Sequence, residues 1–560
     1  MLGLSPWISL AAVLLAALIA RLSPPFDWTV VERALNDRRT PAIIGVLSGL
    51  LLLWVWGSLA QSPVIHDESA YLLQAQLFAA LHWTGGGRPL PAFFEQAHIL
   101  IDGVLASKYP PGNSLLLTFG VLLGLPGLPV IVMNAGASAL MFALARRAAG
   151  GVVALLTWIV WQSSFPMVYY RASYMSESAS ALAWLLAWWG IARWHDDTAA
   201  TPKTGRKWLI VAAGAVAWCA ITRPLTGVAL ALVAGCVVLR QCQKRRVWRD
   251  LVPAASVAAA ILAILPLWSW RTTGNAFLTP LTSYTNTYLP FDKPGFGAGP
   301  GDLPSNRLPL DQARIEGVFY RIHAEHTVSA LPRIAWQRLT MIDRDEWYEW
   351  RGGLRVFALV GLLALSLEGW IGLAAFALQF LLYLSYAHPA FWTLYYVECM
   401  PMLAFVTALG IARCFALLDN RRRVNAAVLV ATVGIVIAAV IARQVKSAVR
   451  DDHAFYDGFA QLVRQIPDAR AIVFVRYGPK HLDGLSYIRN VPDLTRARVW
   501  TVYDRGAENE KLLAIAPERA AYLFDEQGWE LHPLQRHPSP SIATVARDSL
   551  RAPPGARRLR

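Results

Sequence analysis

Two adjacent carboxylates, Asp67 and Glu68, follow an apolar run in the string HDESAYLLQAQLF that begins at His66. They stand where a membrane helix over 41–60 should emerge into water. Charges so close to a bilayer are costly and mark function by default. Ala70, Tyr71, Leu72, Leu73, Leu77 and Phe78 follow at helical spacing. An interfacial helix with that pattern would hold Asp67 at the membrane surface as a candidate base. The pair suits the first turn of a helix equally well, where carboxylates meet the positive end of the dipole.

A second group is Lys108-Tyr109-Pro110-Pro111-Gly112. The prolines break the helix and fix an extended turn before the apolar run 115–123. That run is short for a span, so it reads as a second interfacial or re-entrant helix, and Lys108 points a cation at the surface of Asp67. A lysine can bind phosphate there as a point charge; it can also snorkel to lipid head groups.

The rest of the chain must position these groups in a bilayer. Of 560 residues, 55% are hydrophobic and 16% charged, and the mean hydropathy is +0.39. A soluble chain averages about 25% charged residues. Apolar segments fall at about 5–22, 41–60, 128–146, 151–168, 178–194, 208–221, 225–239, 251–269, 354–367, 370–386, 393–412 and 424–442. The expectation is a polytopic α-helical membrane protein of about twelve spans, the first an uncleaved helix. Arg38-Arg39, Arg146-Arg147, Arg206-Lys207, Lys244-Arg245-Arg246 and Arg421-Arg422-Arg423 fall on one side of it, which the positive-inside rule makes cytoplasmic. The net charge of +15 is therefore a topology signal and not a nucleic-acid footprint. Cys219, Cys236, Cys242, Cys399 and Cys414 all lie in or beside apolar spans, with no zinc-type spacing.

The expected organisation is a membrane domain over 1–442 with outer loops 61–126 and 271–353. A small α/β extracytoplasmic domain follows over 443–540, with strands in ARAIVFVRYG and ARVWTVYD. A basic Pro/Arg-rich tail, 541–560, has the composition of disorder.

Taken together, HDESAY and KYPPGNS resemble the acidic and K-x-P-P-like motifs of the GT-C superfamily of membrane glycosyltransferases. Bacterial protein O-mannosyltransferases and the aminoarabinose transferase acting on lipid A are members. The resemblance covers about Pro41 to Arg413 and is strongest in the first outer loop. No WWD-type motif of oligosaccharyltransferases is present.

The resemblance implies a GT-C-like enzyme of the cell envelope, multi-pass in the inner membrane, with its site facing the periplasm or exterior. It would pass a sugar from a polyprenyl-phosphate donor to an acceptor hydroxyl on a lipid, glycan or protein. Asp67 would be the general base. Lys108, Arg171 and Arg223 would be donor-phosphate ligands. His66, Tyr71, Tyr109, Tyr284, Tyr288, Tyr396 and Glu398 would line the substrate site. Glu68 and Glu177 would be ligands for a divalent cation, Mg²⁺ or Mn²⁺. The bland readings are a helix-start carboxylate for Glu177, snorkelling for the arginines and an aromatic belt for the tyrosines. Two rival functions stand beside this one. A lipid-linked-sugar transporter or flippase predicts mid-membrane ionisable residues and repeat symmetry; a non-catalytic membrane scaffold predicts no dependence on Asp67.

Overall fold

The computed structural model describes residues 7–534 except 25–26, 201, 300, 302–307, 309, 348–350 and 483. The tail 541–560 lies outside the described residues.

Five helices among those described are long and apolar enough to cross a membrane: Leu128–Ala149, Pro224–Arg245, Trp248–Thr273, Met400–Leu417 and Asn420–Arg464. Three pairs pass the same test jointly but are bent, Thr29–Asn36 with Thr40–Trp56 by 82°, Gly151–Gln162 with Phe165–Arg171 by 77°, and Leu354–Leu363 with Leu367–Tyr383 by 119°. By length and composition the count is five spans, or up to eight with each pair taken as one. The remaining apolar segments of the sequence lie on Ile8–Leu22, Glu177–Ala200 and Pro202–Thr222. Local chemistry explains the bends. Pro166, in the first turn of its helix, has no N–H to continue the ladder of the preceding one. Ser366 caps the helix after the 119° bend by accepting from Gly369 N–H at 3.3 Å.

Glycines let helices touch backbone to backbone. A Cβ on Gly410 would sit 1.7 Å from the Phe357 carbonyl, and one on Gly361 1.9 Å from that of Val406. Small residues allow such crossings in membranes, where dispersion and weak polar contacts hold helices together.

The first outer loop departs from its expected form. The helix His66–Ala79 is enclosed, with His66, Glu68, Ala70 to Ala75 and Leu77 all buried. It does not lie along the membrane with a wet face, because three short strands and the following helix cover it. Strands β1 (Gly85–Gly86), β2 (Ile99–Leu100) and β3 (Val104–Ser107) pair antiparallel in the order β1-β3-β2. Leu73, Leu77, Ile99, Ile101 and Leu105 form the shared core. The helix Gly112–Leu122, by contrast, does expose an apolar face through Phe119 and Leu122.

The helix Asn420–Arg464 runs unbroken for 45 residues through position 442, the expected domain edge. It leads to strands β4 (Ala471–Arg476), β5 (Val499–Tyr503), β6 (Ala520–Asp525) and β7 (Glu530–Pro533). Their order is β5-β4-β6-β7, with β4 parallel to β5 and β6 and with β7 antiparallel to β6. The runs AIVFVR and VWTVY are buried almost throughout, as parallel strands covered on both faces should be.

This sheet grips the first outer loop. Phe93 and Phe94 enter its core against Phe474 and Trp500. Burying each ring stabilises the contact by about 1.5–3 kcal/mol. Arg88 donates to the carbonyls of Val491 and Pro492 at 2.7 and 2.8 Å. Arg489 reaches back to the carbonyls of Pro63 and Val64, and Ile65 bridges Leu485. The residues just before Asp67 are thus held by the far end of the chain.

Candidate active site

Ile65 is the N-cap of the helix that carries Asp67, and Glu68 is its N3 residue. Glu68 Oε2 accepts from the N–H groups of Val64 at 2.6 Å and Ile65 at 3.2 Å, and Oε1 from that of Tyr174 at 2.9 Å. Burial raises its pKa, while the three backbone donors pull the other way. Both oxygens of Glu68 therefore serve the helix start. Asp67, one position earlier, faces open space with 29% of its side chain exposed. Tyr109 donates its hydroxyl to Asp67 Oδ1, and Tyr71, one turn along, stacks on the Tyr109 ring at 4.7 Å.

The β2–β3 register fixes what stands opposite. Ile99 pairs with Ser107, and Lys108 N–H donates to the His98 carbonyl at 2.9 Å. Lys108 and His98 therefore flank one end of the hairpin beside Asp67. The Lys108 ammonium lies between the rings of Tyr109 and Tyr284, 5.3 and 5.1 Å from their centroids. Its Nζ is 4.0 Å from Asp292 Oδ2. Burial lowers the Lys108 pKa, and Asp292 and Asp67 oppose that shift. Asp292 is itself held by the Tyr386 hydroxyl at 3.1 Å and faces His323 Nε2 at 3.4 Å. Burial works to raise its pKa, but His323, Lys108 and Tyr386 outweigh it and the net direction is down. His66 is buried 6.3 Å from His98, and desolvation first and His98 second push its pKa down to about 3. It is a neutral wall residue at pH 7. Tyr288 packs on Tyr284 at 4.8 Å.

Four expected site residues have other work. Arg171 donates to the Met167 carbonyl at 2.6 Å and Gln162 Oε1 at 2.8 Å, and its guanidinium covers Trp161. Its donors are committed to the helix interior, not to a phosphate. Arg223 lies 3.1 Å from Glu398 and 3.6 Å from Glu177, and donates to the Leu394 carbonyl. Glu398 also accepts from Ser180 at 2.5 Å and Gln379 at 3.1 Å. This buried network ties together Glu177–Ala200, Pro224–Arg245 and the residues around 394–398, and leaves Glu177 Oε2 without a hydrogen-bond partner. Of the two residues expected to hold a cation, Glu68 accepts from three backbone N–H groups and Glu177 faces Arg223. No group of three His, Cys, Asp or Glu side chains among the described residues could hold a metal ion.

One assignment shifts by a residue. Tyr396 is fully buried among Phe380, Tyr383 and His388 and is a core residue. Tyr395 is its replacement at the site, with its ring beneath Arg223 and its hydroxyl in the fields of Asp292 and Asp67. Both stand on the short 3-10 turn Thr393–Tyr396. The reading from sequence passed over Asp292, His98, His323 and Tyr386. Asp292 had a signal, as the single carboxylate of the segment RTTGNAFLTPLTSYTNTYLPFDKPGFG.

The assembled chamber holds one open carboxylate oriented by a phenol, a buried ammonium beside it, and aromatic walls. It can take a proton at one end and meet negative charge at the other. The molecule is thus a helical protein with several helices long and apolar enough to cross a membrane, and these groups lie together on the segments that join them. No family model and no curated protein matches the chain. Among solved structures it is similar to ArnT from Cupriavidus metallidurans in the apo state, with a TM-score of 0.52 and 14% identity over 86% of this chain and 92% of that one. A structure of the same protein bound to undecaprenyl phosphate matches with a TM-score of 0.49 and 12% identity, over 87% and 93%. The apo likeness shows that the chain shares the fold of that ArnT structure.

Proposed function

We propose that this chain is an integral-membrane glycosyltransferase that moves a sugar from a polyprenyl-phosphate donor to an acceptor hydroxyl outside the cytoplasmic membrane. The observation that carries this reading is the placement of Asp67. Of the two adjacent carboxylates it alone is open, and a cation suited to a leaving phosphate lies within its electrostatic reach. Asp67 takes the proton of the acceptor hydroxyl. The freed oxygen bonds to the anomeric carbon as the bond from that carbon to the phosphate oxygen breaks. Lys108 meets the charge gathering on the departing lipid phosphate. Tyr71, Tyr109, Tyr284 and Tyr395 supply faces for a sugar ring. The polyprenyl donor accords with the undecaprenyl phosphate seen on ArnT. The outward face follows from the basic clusters, which lie at the opposite helix ends.

The test is Asp67→Asn in native membranes, with the lipid-linked sugar and its glycosylated product followed by mass spectrometry. A positioned general base contributes about 10²- to 10⁴-fold in rate, so transfer should fall by that much at unchanged expression. Wild-type transfer by this variant would end the general-base assignment and favour a helix-start role for Asp67.

A further inference from the structure

We infer that His98 is a positioning residue for Asp67, holding one carboxylate oxygen while Tyr109 holds the other. This deepens the reading of Asp67 as base and rests on it.

Two observations on geometry carry the inference, and a third, on charge, supports it. The first is the backbone. His98 has φ +68°, in the left-handed region that side-chain-bearing residues rarely occupy. Sparsely populated conformations persist where surrounding structure enforces them, and they gather at functional sites. Here the enforcement is visible. The hairpin register begins at the next residue, Lys108 N–H binds the His98 carbonyl, and the Tyr284 hydroxyl engages the His98 backbone. A glycine at this position would be free of that strain, so the ring must repay it.

The second is where the ring points. Nε2 lies 3.6 Å from Asp67 Oδ2, and Tyr109 occupies Oδ1. The ring is set edge-on against Tyr109 at 5.5 Å and tilted against Tyr284 at 6.0 Å. Nδ1 is sealed from solvent without a hydrogen-bond partner. The accessible edge of the imidazole is therefore the one that faces Asp67. A gap of 3.6 Å is longer than a hydrogen bond. Catalytic contacts are often loose before substrate binds and tighten in the complex.

The third is charge. Burial first and the Lys108 ammonium second hold the His98 pKa well below its ordinary value, against the pull of Asp292. The ring is neutral at pH 7 and carries one proton. Beside a carboxylate that proton belongs on Nε2, which makes the ring a donor to Oδ2. Each oxygen of Asp67 then has one donor, which fixes the carboxylate plane. The other groups whose fields reach Asp67 are Lys108, His66, Tyr71, Glu177 and Tyr395. None of them offers a second donor to the carboxylate.

The experiment uses the full-length protein in native membranes, with turnover of the endogenous lipid-linked sugar measured by mass spectrometry from pH 4.5 to 9. His98→Ala should lower kcat by about 10- to 100-fold, the usual loss when a reacting group is misplaced by an ångström or so. The apparent KM for the donor should hold. His98→Gly removes the ring and relieves the backbone, so an equal loss in both variants assigns the effect to the imidazole. His98→Gln restores an N–H donor and should recover part of the rate. A wild-type rate in His98→Ala would overturn the inference, as would full activity in His98→Gly. Asp67→Asn is run alongside. If it is inactive while His98→Ala behaves as wild type, only the role of His98 fails; if Asp67→Asn retains transfer, the base assignment itself fails.

Discussion

Lys108 can serve a leaving phosphate only while it is protonated, and Asp292 is the group that keeps it so. Burial pushes the Lys108 pKa down, and Asp292, with its oxygen 4.0 Å from Nζ, pushes back. Two unit charges 4 Å apart interact by about 4 kcal/mol at an effective dielectric of ~20. Asp292→Asn keeps the shape and removes most of that support. The Lys108 pKa must then fall further, and the alkaline limb of the transfer profile moves to lower pH. The sign is fixed because protonated Lys108 is the active form and losing a negative neighbour favours the neutral amine. The variant should therefore lose more transfer at the alkaline end of the profile than at the acid end. The assay is turnover of the lipid-linked sugar in membranes between pH 6 and 10. An alkaline limb that stays in place, or moves up, would refute the coupling. Full activity of Lys108→Ala would refute the role of Lys108 altogether.

Other outcomes follow from the same geometry. Glu68→Gln cannot accept from all three backbone N–H groups, and each buried donor left unpaired costs about 1–3 kcal/mol; the thermal midpoint of the purified protein should fall. Since Glu68 and Glu177 are already engaged, EDTA should leave transfer unchanged, and a loss restored by Mg²⁺ or Mn²⁺ would reverse that view. Gly410→Ala places a methyl group into the Phe357 carbonyl and should reduce the yield of folded protein in detergent, measured by size-exclusion chromatography.

Asp67, Lys108 and Tyr109 were legible because their signals are local: a charge pair after an apolar run, and a lysine before two prolines. The helical membrane fold was legible for a similar reason, since hydropathy is a property of consecutive residues. The enclosure of His66–Ala79 was not. Its apolar pattern is the same whether lipid or protein covers it, and the cover comes from residues 93–107 and from the sheet after 471. Arg171, Arg223, Glu177 and Glu398 read as free charges because each partner lies on another element. Tyr395 and Tyr396 are neighbours on one tight turn, and only the packing of Phe380 and His388 tells which of them points inward. His98 sits in a loop with no periodicity at all, so its role rests on a hairpin register that no short window of sequence reveals.

The grip of Arg489 on the carbonyls of Pro63 and Val64 spans 426 and 425 positions of chain. A ribosome adding about 5–20 residues each second takes roughly 20–80 s to cover that distance. For that interval the loop bearing Asp67 has already been made, and Glu68 holds its start without the Arg489 clasp. A chain released before Leu485 would keep its apolar helices and lack the clasp. The start of the Asp67 helix thus takes its final setting only after the segment around Arg489 has been made, late in synthesis.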